Sequence, residues 1–587
     1  MGDAVDPVTL AVMSGVLDSS IREMTITMRR AAMSPVLAIG NDFSNSIFDG
    51  QARMVLQGQD QPVHLGAMIF ACKEVARYFG SSLAAGDVIY HNDPRTGGSH
   101  LQDMTLYKPV FVAGELAFWT VNRSHMDETG GPVAGGYNPM AEEIWAEGLR
   151  ISPVKIYEAG RPRQDVIDLL STNFRTRRQF RGDLGAQLAA CTLAERRLVQ
   201  LVDRYGLTTV RSCLDALLHR AEDLMREEIL GMPDGSYQGR AIVEDDGHGS
   251  GELEIAATVR IIGDRMDIAL SAPPQVHSYI NSYAANSLGA VYLGVITYVG
   301  PDKPHNEGLY RPLTVDLGPT GTLINAREPA ACSMSTSTPY GHVAEAVRTA
   351  LSSALAERSG AGWAKICIDC FTGTDPRDEQ PYAYLSHLTG WGGGGAFWGQ
   401  DGEPVVGPIE VAGAAMTGDV ELLEYMLPLH IHRYELRTDS ACPGRWRGGP
   451  GTVVEVSPID HETTVSFLGD GMKYPPPGVR GAERRDNRER VFRKWIVEPD
   501  GSAELVRLHS VHPLGPRQRL REFTAGGGGA GNPFDRPADL VFADWCADLV
   551  SLESCRTDYG VVIDAADGRV DDIQTAAHRE PTGGTAP

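Results

Sequence analysis

Four short segments between residues 41 and 131 concentrate imidazole and carboxylate side chains. They are Asn41-Asp42-Phe43-Ser44, His91-Asn92-Asp93-Pro94, His100-Leu101-Gln102-Asp103, and His125-Met126-Asp127-Glu128 running into Gly130-Gly131. Mixed nitrogen and oxygen donors of this kind suit Zn²⁺, Mn²⁺ or Fe²⁺. If the fold gathers them, they form a metal centre. If it does not, they are loop polars.

The elements that must position them are legible. Residues 103–112 are rich in strand-forming side chains, and 116–122 reads as a return strand after Ala113-Gly114-Glu115. In an antiparallel pair, opposed residue numbers sum to a constant. A turn near Gly114 therefore sets Asp103 opposite His125 to within a residue, with His100 on the same rim. Pro109 argues for an edge position. On spacing alone, a metal ligand set and a plain His–Asp pair closing the open end of a hairpin both remain.

The rest of the 587-residue chain bounds the answer. With 42% hydrophobic and 22% charged residues it has ample core material. Its 76 acidic residues against 53 Lys plus Arg give a formal charge of −23, which argues against nucleic acid or an anionic membrane as partner. The longest apolar runs, such as 288–299, are too short to span a bilayer. Met1-Gly2-Asp3-Ala4-Val5-Asp6 carries no secretion signal, so a cytoplasmic location is expected. Nine scattered cysteines read as reduced and structural, including the lone Cys367/Cys370 pair.

The pattern predicts a mixed α+β, multilayer chain. Residues 1–160, which carry the candidate metal-site residues, are expected to form an N-terminal domain of helices and short strands, starting with a helix capped by Asp6-Pro7. A helical segment occupies 161–235, with long amphipathic runs at 183–205 and 207–230, and an α/β middle region spans 236–375. In that region strands are expected at 241–262 and 265–271, and buried helices at 282–297 and 341–356. A β-rich part follows at 376–565, then a flexible tail at 566–587. The glycine runs at 391–395, 447–451 and 526–529 lack the Lys-Ser/Thr of a phosphate-cradling loop, so they are expected to serve turns and close backbone approaches.

Ordered landmarks along residues 6–480 resemble the hydantoinase B/5-oxoprolinase family. They are Arg22-Glu23-Met24, Asp42-Phe43-Ser44 with Ile47-Phe48-Asp49, Pro62-Val63-His64, His91-Asn92-Asp93-Pro94, and Gly97-Gly98-Ser99-His100 through Asp103. Further matches begin at Pro304, His432, Arg445 and Tyr474. The resemblance implies the metal-bearing subunit of a two-component, ATP-dependent amidohydrolase in an A₂B₂ assembly. A hydantoinase A-type partner would bind ATP and phosphorylate a hydantoin, 5-oxoproline or lactam, and this chain would complete ring opening. The alternative is a subunit of an acetone or acetophenone carboxylase, since that family includes these too.

Carried onto this sequence, the implied metal ligands are Asp42, His100, Asp103 and His125, with Asp127 or Glu128 as general base or, alternatively, as a cap on the Gly130-Gly131 turn. His277 and Asn281 are candidates to line the substrate pocket, as are polar residues of 332–340, with scaffold roles as the alternative for each. His64 and His91 are expected to hold loops around the metal, and His305-Asn306-Glu307 to line the site or close a turn. The family's common His-His-Ala-Asp-Ile-Gly-Gly is here His125-Met126-Asp127-Glu128-Thr129-Gly130-Gly131, and Ile39-Gly40-Asn41 replaces its usual Glu-Arg-Arg. Both departures bear on substrate type rather than on the first, ligating histidine.

Overall fold

The computed structural model describes residues 6–300, 303–482 and 489–579. Residues 1–5, part of the stretch searched for a secretion signal, and 580–587 of the expected tail lie outside the described residues. Helix α1 (Pro7–Ala31) begins as expected. The Asp6 carboxylate accepts from the Thr9 N–H at 3.0 Å, and Pro7 occupies a position that needs no N–H. Its stripe of Met13, Leu17, Ile21, Met24 and Met28 is buried.

A seven-stranded sheet follows, in the order β2-β1-β5-β4-β3-β6-β7. Its strands are β1 (Phe43–Asp49), β2 (Met54–Gln57), β3 (Val88–His91), β4 (Asp103–Val112), β5 (Glu115–His125), β6 (Val154–Glu158) and β7 (Arg161–Pro162). Both faces are covered. Ile47, Leu106 and Phe118 point into one core with α1 and the helix Arg177–Tyr205. Their neighbours Phe48, Tyr107 and Trp119 point into a second core that includes helix residues Met68, Cys72 and Val75. Alternation along each strand thus divides two cores, not core from solvent.

The β4–β5 hairpin sets Asp103 opposite His125, and the register holds to Val110 opposite Phe118. Its turn is shorter than expected. Ala113 (φ 52°) and Gly114 (φ 84°) alone make it, as a two-residue turn with positive φ at both positions. A one-residue shift between Val110 and Phe111 absorbs the difference. The edge position expected from Pro109 is corrected, because β4 lies between β5 and β3. The β3–β4 ladder ends at Ile89 opposite Tyr107, so Pro109 sits past it and removes no bond there.

Helices Gln164–Thr172, Arg177–Tyr205 and Leu207–Leu230 fill the expected helical segment. A four-stranded sheet, with Leu253–Ile262 and Arg265–Ser271 as its central hairpin, packs on the helix Thr338–Ala354. The strand expected over 241–262 is two, Gly235–Val243 and Leu253–Ile262, separated by a loop with positive φ at Gly247, Gly249 and Gly251. The landmark at Pro304 closes a turn. Asn306 caps Glu307–Tyr310, and Glu307 accepts from Lys73 Nζ at 2.5 Å and the Met54 N–H at 3.0 Å.

Beyond residue 368 two antiparallel sheets of four and five strands dominate. The glycine runs interlock beside them. Gly527 N–H donates to the Gly449 carbonyl, and Gly449 N–H to the Gly394 carbonyl. A Cβ at Gly393, Gly448 or Gly527 would overlap the carbonyl oxygen of Gly449, Gly527 or Gly394 respectively. Within the segment expected to be a flexible tail from 566, Arg569–Val570 pairs with Ile563–Asp564 and Asp572–Arg579 is a helix. Arg579 ties that helix down through the Tyr559 and Arg536 carbonyls. Cys367 and Cys370 are buried free thiols. Among the described residues no helix is long and apolar enough to cross a membrane. The fold is mixed α+β.

Candidate metal centre

Two ladders bring the acids and imidazoles to one end of the first sheet. The β4–β5 hairpin places Asp103 beside His125. The β1–β5 ladder pairs Phe43 with Ser124, and the His125 N–H donates to the Asp42 carbonyl at 3.0 Å. His100 lies three residues before β4. His64 arrives at the end of the turn Pro62–His64, and His387 follows the strand Pro381–Ser386 from the C-terminal half. These six side chains line one cavity of about 40 Å³ with Tyr137, Glu410 and an apolar wall that includes Ile366, Leu385, Trp391 and Val411. That volume takes an ion with a little water.

The outer ring nitrogens fix how the imidazoles face. His100 Nδ1–H donates to the Ser333 carbonyl at 2.7 Å, and His387 Nδ1–H to the Met416 carbonyl at 3.2 Å. The Ser44 hydroxyl gives its proton to the Gln61 carbonyl, so it accepts from His64 Nδ1–H at 2.9 Å. In each neutral ring the Nε2 lone pair therefore faces inward. There it meets carboxylates. Asp103 Oδ1 is 3.3 Å from both His64 Nε2 and His100 Nε2, and Asp42 Oδ2 is 3.7 Å from His387 Nε2.

A lone pair facing a carboxylate is repulsive unless a proton or a cation lies between them. Burial works against charge on His100, yet Asp103 raises its pKa. Burial likewise opposes ionisation of Asp103, but His100 and His64 hold it well below the usual carboxylate range. Burial lowers His125 to about 4. Its Nε2 stands 2.9 Å from the Tyr137 hydroxyl.

The donor set fits a divalent ion. Asp103 Oδ1, His125 Nδ1 and His387 Nε2 are buried without a hydrogen-bond partner, each such orphan costing about 1–3 kcal/mol. Metal bonds near 2.0–2.2 Å put two ligands of one ion roughly 3–3.5 Å apart, which is the spacing of Asp103 from His64 and His100. Among the described residues, no three His, Cys, Asp or Glu side chains are already disposed to hold an ion. Ligation therefore calls for side-chain adjustment.

Several residues whose type and spacing suggest a place at the site do not line the cavity, Asp127 and Glu128 among them. Glu128 accepts from Gly130 N–H at 2.6 Å and pairs with Arg175 at 3.1 Å, so it caps the turn. Asp127 accepts from the Thr176 hydroxyl at 2.8 Å, and burial, then Asp183, pushes its carboxyl well up. His277 is exposed and away from the cavity. Asn281 spends its amide on Val276, Ser278 and Ala331 backbone groups. His91 holds a loop through Thr96, as expected, whereas His64 joins the cluster. From 332–340, Thr336 and Ser337 line the cavity.

Sequence reasoning missed His387, Tyr137 and Glu410. His387 lies 262 residues after His125 in no motif of its own, and its one local cue is Trp391 four residues on, stacked at 4.6 Å. The Trp391 indole N–H donates to the Ala415 carbonyl at 3.1 Å, which holds that ring in place.

The family profile described as hydantoinase B/oxoprolinase matches residues 6–533. Caprolactamase subunit beta of Pseudomonas jessenii is 46% identical over 578 residues, covering 98% of this chain and 99% of that protein. The 5-oxoprolinase 1 of Arabidopsis thaliana is 26% identical over 554 residues, covering 90% of this chain and 42% of the plant protein. The crystal structure of ATP-dependent caprolactamase from Pseudomonas jessenii aligns with a TM-score of 0.93 at 44% identity, covering 98% of this chain and 100% of that one. Nucleotide-free acetone carboxylase aligns with a TM-score of 0.84 at 19% identity, covering 98% and 82%, a likeness of fold alone.

Proposed function

The chain belongs to the hydantoinase B/oxoprolinase family, and we propose that it is the metal-bearing subunit of an ATP-dependent hydrolase that opens a cyclic amide. Its partner is a hydantoinase A-type subunit that binds ATP and phosphorylates the amide oxygen. The relative named caprolactamase subunit beta supports both the lactam substrate and the second subunit. One observation carries the reading. Two carboxylates and four imidazoles, three of which have the outer nitrogen already committed, converge on one buried cavity.

Asp42, His100, Asp103 and His125 are the proposed ligands, with His64 and His387 completing the ring around them. A divalent ion held there supplies Lewis acidity and a water of lowered pKa. The Ser333 and Met416 carbonyls and the Ser44 hydroxyl orient three imidazoles before any ion arrives. The apolar wall excludes bulk water from the reacting carbon. The cavity as it stands does not take a ring as well, so substrate access moves a wall.

The test uses the chain purified with its ATP-binding partner, given ATP and ε-caprolactam, hydantoin or 5-oxoproline. Ring-opened product formed with ATP hydrolysis and without bicarbonate supports the hydrolase. Turnover only of ketones, and only with bicarbonate, refutes it in favour of a carboxylase.

A further inference from the structure

The cavity holds one carboxyl outside the ligand cluster. Glu410, 3% exposed, lines its apolar side with Ile366, Leu385 and Val411. Its backbone is fixed, because the Glu410 carbonyl accepts from Val63 N–H at 3.0 Å. Its carboxyl is not. Among the described residues no side chain forms an ion pair or a hydrogen bond with it. Space for it is kept by Gly341, where a Cβ would stand 2.8 Å from Oε2. Its own backbone N–H and the field of Lys365 offset only part of the cost of burying this carboxyl, which opens onto the candidate reaction site.

We infer that Glu410 is the catalytic proton donor and acceptor of the water addition that precedes ring opening, a role for which Asp127 and Glu128 stand outside the cavity. The inference rests on the reading of the preceding subsection. Phosphorylation of a lactam oxygen gives a cyclic imidate whose ring nitrogen is basic. Glu410 gives its proton to that nitrogen, which makes the C=N carbon more electrophilic. Water then attacks, the C–O bond forms, and the Glu410 carboxylate takes one proton from the attacking water. The net change is water added across C=N, with Glu410 returned to its starting state and the phosphoryl group still in place.

The carboxyl is suited to start protonated. Burial pushes it up to about 8, while the Lys365 ammonium pulls the other way. Lys365 pairs with Glu345 and also feels Asp470 and Glu244. Across the cavity stand Asp42, Asp103 and the four imidazoles.

The experiment compares wild type, Glu410→Gln and Glu410→Asp in the complex with the ATP-binding partner, ATP and ε-caprolactam. Glu410→Gln keeps the size of the side chain and loses the acid. It is expected to retain its metal while product formation falls at least about 100-fold, and the alkaline fall in the rate profile disappears. Glu410→Asp recovers part of the rate and restores that fall. Equal rates in wild type and Glu410→Gln overturn this role and leave the hydrolase reading intact. Loss of metal from Glu410→Gln also overturns it, since the residue is then structural. A wild-type complex that opens no lactam overturns both.

Discussion

His100 Nε2 stands 3.3 Å from Asp103 Oδ1, while the Nδ1 of the same ring donates to the Ser333 carbonyl at 2.7 Å. The ring is thus held from outside and presented inward, as an imidazole ligand needs. His100→Ala removes that donor and leaves Asp103 Oδ1 facing His64 without its second imidazole. Ring opening by the complex falls at least about 100-fold, while ATP binding by the partner survives. Steady-state turnover and nucleotide binding measured on the same preparation check this.

The Ser333 carbonyl is itself positioned. Glu147, buried, accepts from Cys332 N–H at 2.7 Å and Ser333 N–H at 2.6 Å. Glu147→Ala frees that peptide, and metal affinity drops by roughly 10–100-fold. Glu147→Gln, which keeps one acceptor, loses less. Competition against a chelator of known affinity reads the difference.

Glu128 caps a turn and pairs with Arg175. Glu128→Ala lowers stability by about 1–3 kcal/mol and leaves metal content unchanged. Denaturant unfolding and metal analysis of one sample separate this from a catalytic role, which would spare stability and abolish turnover.

Asp183 joins the end of α1 to the helix Arg177–Tyr205 by accepting from Met33 N–H at 2.6 Å and Ser34 N–H at 3.1 Å. Burial raises its carboxyl to about 6, above the ~3.9 of an unfolded chain. Between those values the folded state binds more protons, so stability falls as pH rises from about 4 to about 6. Its contribution is complete below that window and lost above it. Asp183→Asn keeps an acceptor and removes the titration. Unfolding measured from pH 4.5 to 7 therefore shows a shallower pH slope in the variant, and parallel slopes contradict the assignment.

Gly527 has no room for a methyl group against the Gly394 carbonyl. Gly527→Ala costs about 1–3 kcal/mol or more through backbone displacement. Gly394 lies three residues after Trp391, whose ring stacks on His387, so displacing its backbone is expected to lower metal affinity as well as melting temperature.

Much of the site could be read from sequence because hairpins obey arithmetic. Asp103 and His125 are opposed because a strand pair with one short turn allows few registers. Asp42 joined them only through family likeness, although β1 turns out to pair with β5. His387 and Glu410 were beyond reach, since His387 meets Asp42 345 residues away and Glu410 meets Val63 347 residues away, and such contacts leave no local period. Asp127 and Glu128 lie outside the cavity for the opposite reason. They neighbour His125 in sequence, but the chain leaves the sheet there, and each side chain is taken by Thr176 or Arg175. Pro109 misled because a central strand can outrun its neighbour.

Metal analysis of the purified full-length chain, after dialysis against a weak chelator, bears most directly on the cavity as a cation site. One tightly held divalent ion per chain in wild type, lost in Asp103→Ala and in His125→Ala with both variants still folded, is the expected result. A wild-type chain that binds no zinc, manganese or iron, or variants that keep a full complement, would contradict it.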